Sequence, residues 1–134
     1  MGRLDHAAEA LAGGRLLWVD DLPGNNRQIV ELLQRAGLTI DLALSTDEAV
    51  GMLQRHGYDV VITDMRRGDD PQAGLRLIEE LDELGIRVPT LVFTGSFDPM
   101  LEVHPEIFAY TTDVDELVHL VIDVMERVQF GRLI

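Results

Sequence analysis

Apolar positions along this chain fall into two kinds of run. Arg15-Leu16-Leu17-Trp18-Val19, Val60-Val61-Ile62-Thr63 and Thr90-Leu91-Val92-Phe93 are short, continuous and rich in β-branched or bulky residues, and predict buried strands. Leu38-Thr39-Ile40-Asp41-Leu42-Ala43-Leu44 alternates like a strand, and Ile107-Phe108-Ala109-Tyr110 reads as a short final one. Between these runs the spacing turns helical. Ile29, Leu32, Leu33 and Ala36 form one stripe, ended by Gly37. Ala49, Met52 and Leu53 face inward on a second helix, and Leu77, Ile78 and Leu81 on a third, closed by Gly85. The last helix carries Leu117, Leu120, Val121, Val124 and Val128, with a second stripe of Val118, Ile122 and Met125.

Local signals punctuate these elements. Pro23-Gly24-Asn25-Asn26 predicts a turn with an Asn helix cap. Ser45, Thr46 and Asp47 offer caps for the next helix, and Asp113 or Asp115 for the last. Asp98-Pro99 and His104-Pro105 oppose a long helix between Gly95 and Pro105. Residues 1–14, with alanine-rich Ala7 to Ala12 and then Gly13-Gly14, are expected to be an N-terminal extension to a domain over 15–134.

Strands alternating with helices imply an α/β fold, a parallel sheet with helices on both faces. Right-handed crossovers leave few topologies, one being the flavodoxin-like five-stranded order 2-1-3-4-5. The fourth helix is expected to be short or missing. In that order strands one, three and four are adjacent, and each ends on polar side chains: Asp20 and Asp21, Asp64, and Thr94. The carboxyl edge of an open parallel sheet is where ligands bind.

A single acid at a strand end is commonly a helix cap. An adjacent pair with a further Asp and a Thr on neighbouring strand ends points instead to a site. Crowded carboxylates are relieved by raised pKa values or by a cation, and an oxygen-only set suits Mg²⁺. Asp64 is then a candidate carboxylate nucleophile for a phosphoryl group, and the Thr94 hydroxyl a donor to a phosphoryl oxygen.

Composition narrows the chemistry. Cysteine is absent, which excludes disulfides and thiolate metal sites. All 11 basic residues are arginine, so a Walker phosphate loop and a Schiff-base lysine are excluded. A net charge of -13 argues against nucleic acid as a partner. No apolar run approaches a membrane span, so no membrane association and a cytoplasmic location are expected. The four histidines, His6, His56, His104 and His119, are scattered without metal-binding spacing.

The pieces Leu16-Leu17-Trp18-Val19-Asp20-Asp21, Tyr58-Asp59-Val60-Val61-Ile62-Thr63-Asp64-Met65, Gly74, Val88-Pro89-Thr90-Leu91-Val92-Phe93-Thr94-Gly95 and Asp113-Val114-Asp115-Glu116-Leu117 resemble the receiver domain of two-component response regulators, over nearly all of residues 15–130. The resemblance implies that Asp64 accepts phosphate from a sensor histidine kinase or phosphotransfer protein. It implies Mg²⁺ held by Asp21 and Asp64 directly, by Asp20 through water, and by the backbone carbonyl of Arg66. Thr94 would be the switch hydroxyl, with Arg66 and Ser96 tuning phosphate lifetime. The chain departs from the family in lacking the lysine after the fifth strand, where Tyr110, Thr111 or Thr112 stands, so it reads as an atypical member.

The expectation is a stand-alone receiver without enzymatic activity, signalling by docking to an unknown downstream protein. The alternative is a pseudo-receiver, an interaction module that is not phosphorylated. Two further readings concern single features. Arg66-Arg67 beside the acids offers a phosphate clamp or a solvated loop pair. An exposed second stripe on the last helix would make a homodimer, whereas a buried one would be ordinary core.

Overall fold

A computed structural model describes residues 11–95 and 109–133. Ser96, the two X-Pro turns, the expected loss of the fourth helix and most of the alanine-rich N-terminal piece lie outside the described residues. The elements run β1 (Arg15–Val19), a 3-10 turn (Pro23–Asn26), α1 (Arg27–Arg35), β2 (Thr39–Ala43), α2 (Thr46–Arg55), β3 (Val60–Thr63), α3 (Ala73–Glu83), β4 (Thr90–Phe93), β5 (Ala109–Thr111) and α4 (Val114–Leu133). The strands form one parallel sheet in the order β2-β1-β3-β4-β5.

Strand alternation sorts the core into two layers. Leu16 and Trp18, Val60 and Ile62, and Leu91 face α1 and α4, where they meet Leu33, Leu117 and Val121. Leu17, Val19 and Val61 face the other way, toward Ala49 and Val50 of α2 and Leu77 and Leu81 of α3. Both faces of β3 are buried, which is why its sequence runs apolar without alternation.

Helix ends follow local chemistry. Ser45 Oγ accepts from the Glu48 amide at 3.1 Å, and Asp113 Oδ1 from the Asp115 amide at 2.9 Å. Gly85, at φ 73°, closes the turn after α3. Asn26 does not cap α1 with its side chain, contrary to the sequence expectation. Its Nδ2 is spent on Asp20 instead, at 2.8 Å.

The second stripe of the last helix is core. Val118, Ile122 and Met125 are all buried in the same cluster as Leu117 and Val121. A homodimer through that stripe therefore loses its basis, an exposed apolar patch. Leu11 belongs to this cluster too, fully buried. It is held there by Gly13, whose amide donates to the Gly37 carbonyl at 3.3 Å, and by Gly14, whose amide donates to the Leu11 carbonyl at 3.1 Å. β5 ends one residue later than the sequence suggested, because Thr111 still pairs with Phe93.

Candidate functional site

The sheet ladders carry the three acids to one rim. The Asp20 amide donates to the Ala43 carbonyl at 2.9 Å, and the Asp64 amide to the Val19 carbonyl at 3.1 Å, so each strand is pinned up to its terminal carboxylate. Asp20, Asp21 and Asp64 each bring one carboxylate oxygen to within 4.8 Å of the others.

Each acid has a different environment. Asp20 is buried, and its two oxygens accept from the Leu22 amide and from Asn26 Nδ2, both at 2.8 Å. Asp21 is exposed, and its Oδ2 accepts from the Gly68 amide at 3.1 Å. Asp64 is half-buried: Oδ1 accepts from Arg67 Nε at 2.8 Å, and Oδ2 is buried without a hydrogen-bond partner among the described residues. Burial pushes the Asp64 carboxyl up to about 6. The Arg67 guanidinium opposes that rise, and the charges of Asp20 and Asp21 add to it.

Three oxygens of like charge and one orphaned buried acceptor form a set of hard donors short of positive charge. That fits a cation such as Mg²⁺, which takes few carboxylates and keeps its own waters. Arg66, whose carbonyl the family resemblance implies as a metal ligand, is an exposed residue of the loop after β3, two positions past Asp64. Thr94 lies at the end of β4, two residues past Val92, which pairs with Thr63 on β3. Its amide donates to the Thr111 carbonyl at 3.1 Å. The rim thus gathers Asp20, Asp21, Asp64 and, by register, Thr94.

Sequence reasoning left Arg66 and Arg67 undistinguished. The structure separates them. Arg67 is buried, 8% exposed, and its guanidinium reaches Thr46 Oγ1 at 2.7 Å and Thr63 Oγ1 at 3.3 Å as well as Asp64. The parity is set by the loop: Arg67 and Asp70 exchange two backbone hydrogen bonds at 3.0 Å, which turns Arg67 inward and leaves Arg66 in solvent. A solvated arginine pair is therefore not what forms.

At the end of β5, Thr111 is buried. Its hydroxyl accepts from the Asp113 amide at 3.0 Å, in the turn that opens α4. No cation comes from this strand end among the described residues.

The family model for the response regulator receiver domain matches residues 16–105. The chain belongs to that family. This receiver is 30% identical over 118 residues to the transcriptional regulatory proteins GlrR of Escherichia coli K12 and QseF of Escherichia coli O157:H7, an alignment covering 84% of the chain. It spans only 26% of the length of those relatives. Among solved structures it resembles the response regulator TrrA of Thermotoga maritima, in complex with Mg²⁺ and BeF, with a TM-score of 0.68 and 25% identity, covering 83% of this chain and 98% of that one. The receiver domain of the Francisella response regulator 1452 superposes with a TM-score of 0.76 at 20% identity, covering 87% and 99%. Receiver domains are signalling modules that interact with histidine kinases or phosphotransfer proteins. Among the described residues no helix is long and apolar enough to cross a membrane.

Proposed function

We propose that this receiver is a phosphorylatable signalling switch that takes a phosphoryl group on Asp64. The observation that carries the reading is the convergence of three carboxylates on the rim, with the acceptor carboxylate half-buried and its Oδ2 buried without a hydrogen-bond partner. Asp20, Asp21, Asp64 and the Arg66 carbonyl would hold Mg²⁺, which when bound supplies charge neutralisation for the incoming phosphoryl group. Asp64 attacks phosphorus, the new oxygen–phosphorus bond forms as the donor's bond to phosphorus breaks, and the donor leaves with the electron pair. The Thr94 hydroxyl, on the adjacent strand end, donates to a phosphoryl oxygen. The partners are then a histidine kinase or phosphotransfer protein upstream and a docked protein downstream, and the cell compartment is the cytoplasm. Residues 15–134 form the signalling domain in this reading, with Leu11 of the preceding segment packed into its core.

The test is incubation with Mg²⁺ and acetyl phosphate, which should give an acid-stable, base-labile adduct by mass spectrometry, lost in Asp64→Asn. Absence of an adduct at saturating Mg²⁺ refutes the switch. One observation favours the other reading, an interaction module that is not phosphorylated: Asp64 already has an internal cation on Oδ1. That reading predicts no adduct and no change of docking partner between wild type and Asp64→Asn.

A further inference from the structure

The chain has no lysine, yet the acidic rim is not without a cation. Arg67 enters it from the loop after β3, with its side chain 7% exposed against 16% for Asp64. The guanidinium is fixed at three points: Asp64 Oδ1, Thr46 at the start of α2, and Thr63 at the end of β3. Fixing it costs Asp64 its freedom. With Oδ2 buried, the acceptor can meet an incoming group only through Oδ1, the oxygen that Arg67 already holds.

We propose that Arg67 is a positioning residue that holds Asp64 in a closed orientation, so that Asp64 must leave Arg67 before it can bind a divalent cation or react. This rests on the reading of Asp64 as phosphoryl acceptor. Two features support it. A charge-assisted hydrogen bond from a planar guanidinium is strong and directional. Its two threonine anchors keep the guanidinium from following the carboxylate. Arg67 thereby sets how much Mg²⁺ the site demands. Its positive charge also lies close to the cation position and weakens binding there.

The experiment compares wild type with Arg67→Gln and Arg67→Lys. Mg²⁺ affinity is measured by calorimetry, and adduct formation from acetyl phosphate is followed at limiting and at saturating Mg²⁺. Arg67→Gln should bind Mg²⁺ roughly tenfold more tightly, since it removes a close opposing charge. It should form the adduct faster at limiting Mg²⁺. Arg67→Lys keeps the charge and should bind Mg²⁺ nearly as weakly as wild type, a rescue that a purely structural strut would not give. In wild type the Arg67 Nε–H resonance should lose its carboxylate-bonded position when Mg²⁺ is added. Equal Mg²⁺ affinity in wild type and Arg67→Gln overturns the proposal, as does an unmoved Nε–H signal at saturating Mg²⁺ or no Mg²⁺ binding by any variant. If Arg67→Gln does not fold, Thr46→Val removes one anchor only. It should tighten Mg²⁺ binding by roughly two- to threefold, a fraction of what a hydrogen bond from a charged guanidinium is worth, and unchanged affinity again overturns the idea. Should no variant form an adduct, the acceptor reading fails while the Mg²⁺ affinities still decide the role of Arg67.

Discussion

Gly74 packs directly on the backbone of Asp64. A Cβ built on Gly74 would come closer to the Asp64 carbonyl oxygen than real Cβ atoms ever stand, and would lie 3.2 Å from the Met65 Cα. The Gly74 amide also donates to the Met65 carbonyl at 2.9 Å, so the first turn of α3 is stitched to the chain just after the acceptor. Backbone cannot yield as a flexible side chain can. Gly74→Ala should therefore lose about 2 kcal/mol of stability, the scale of overpacking a tight contact. It should also shift the Asp64 and Met65 amide resonances. Urea unfolding checks the first and a two-dimensional NMR spectrum the second; a variant as stable as wild type would show that the two segments are free to part.

The raised pKa of Asp64 has a consequence for stability. With a native value of about 6 against an ordinary 3.8, the folded protein binds a proton that the unfolded chain does not hold between those pH values. Ionised Asp64 therefore costs stability above pH 6, by about 3 kcal/mol on the strength of that gap, and the cost disappears as pH falls toward 4. Asp64→Asn removes the charge but weakens the bond to Arg67, so its net gain should be smaller, about 1–2 kcal/mol at pH 8 without metal. Urea melts of both proteins at pH 4, 6 and 8 should show the difference closing with acid. A constant difference would mean that Asp64 is not strained by its burial.

The strands and the acids at their ends were legible because both depend on short sequence runs. A continuous apolar stretch such as Val60-Val61-Ile62 has to be buried on two faces, and the residue after it has to emerge at the rim. Arg67 was not legible. Nothing in Arg66-Arg67 says which of the two turns inward; the backbone bonds between Arg67 and Asp70 decide it. Asn26 is a similar case: the hydrogen bond from its Nδ2 to the Asp20 carboxylate orients the side chain toward the rim, so its Oδ1 does not cap α1. Leu11 looked peripheral behind Gly13-Gly14, yet those glycines let the chain turn close to Gly37 and deliver Leu11 into the core.

Magnesium should stabilise the fold if the rim binds it. A ligand present at about ten times its Kd adds about 1.4 kcal/mol to the native state alone. Thermal melts should therefore rise with Mg²⁺, return on chelation, and stay flat in Asp21→Asn. Asp21 suits this test because it is exposed and its loss leaves the core untouched. A wild-type melting temperature that ignores Mg²⁺ at neutral pH would argue that the Arg67–Asp64 pair has replaced the metal.

Ile122 tests what α4 is for. Its side chain is fully buried, in the cluster that also holds Leu117, Val118, Val121 and Met125. If the stripe were a dimer seam, Ile122→Ala would dissociate a dimer and leave the protomer folded. Buried as it is, the substitution removes three carbons from packed core, and the neighbours on the sheet can close the gap only in part. The expected loss is about 3 kcal/mol, typical of Ile→Ala in a core, with the same sedimentation behaviour before and after the change. A concentration-dependent melting temperature in wild type, abolished by Ile122→Ala with little loss of protomer stability, would reverse this assignment.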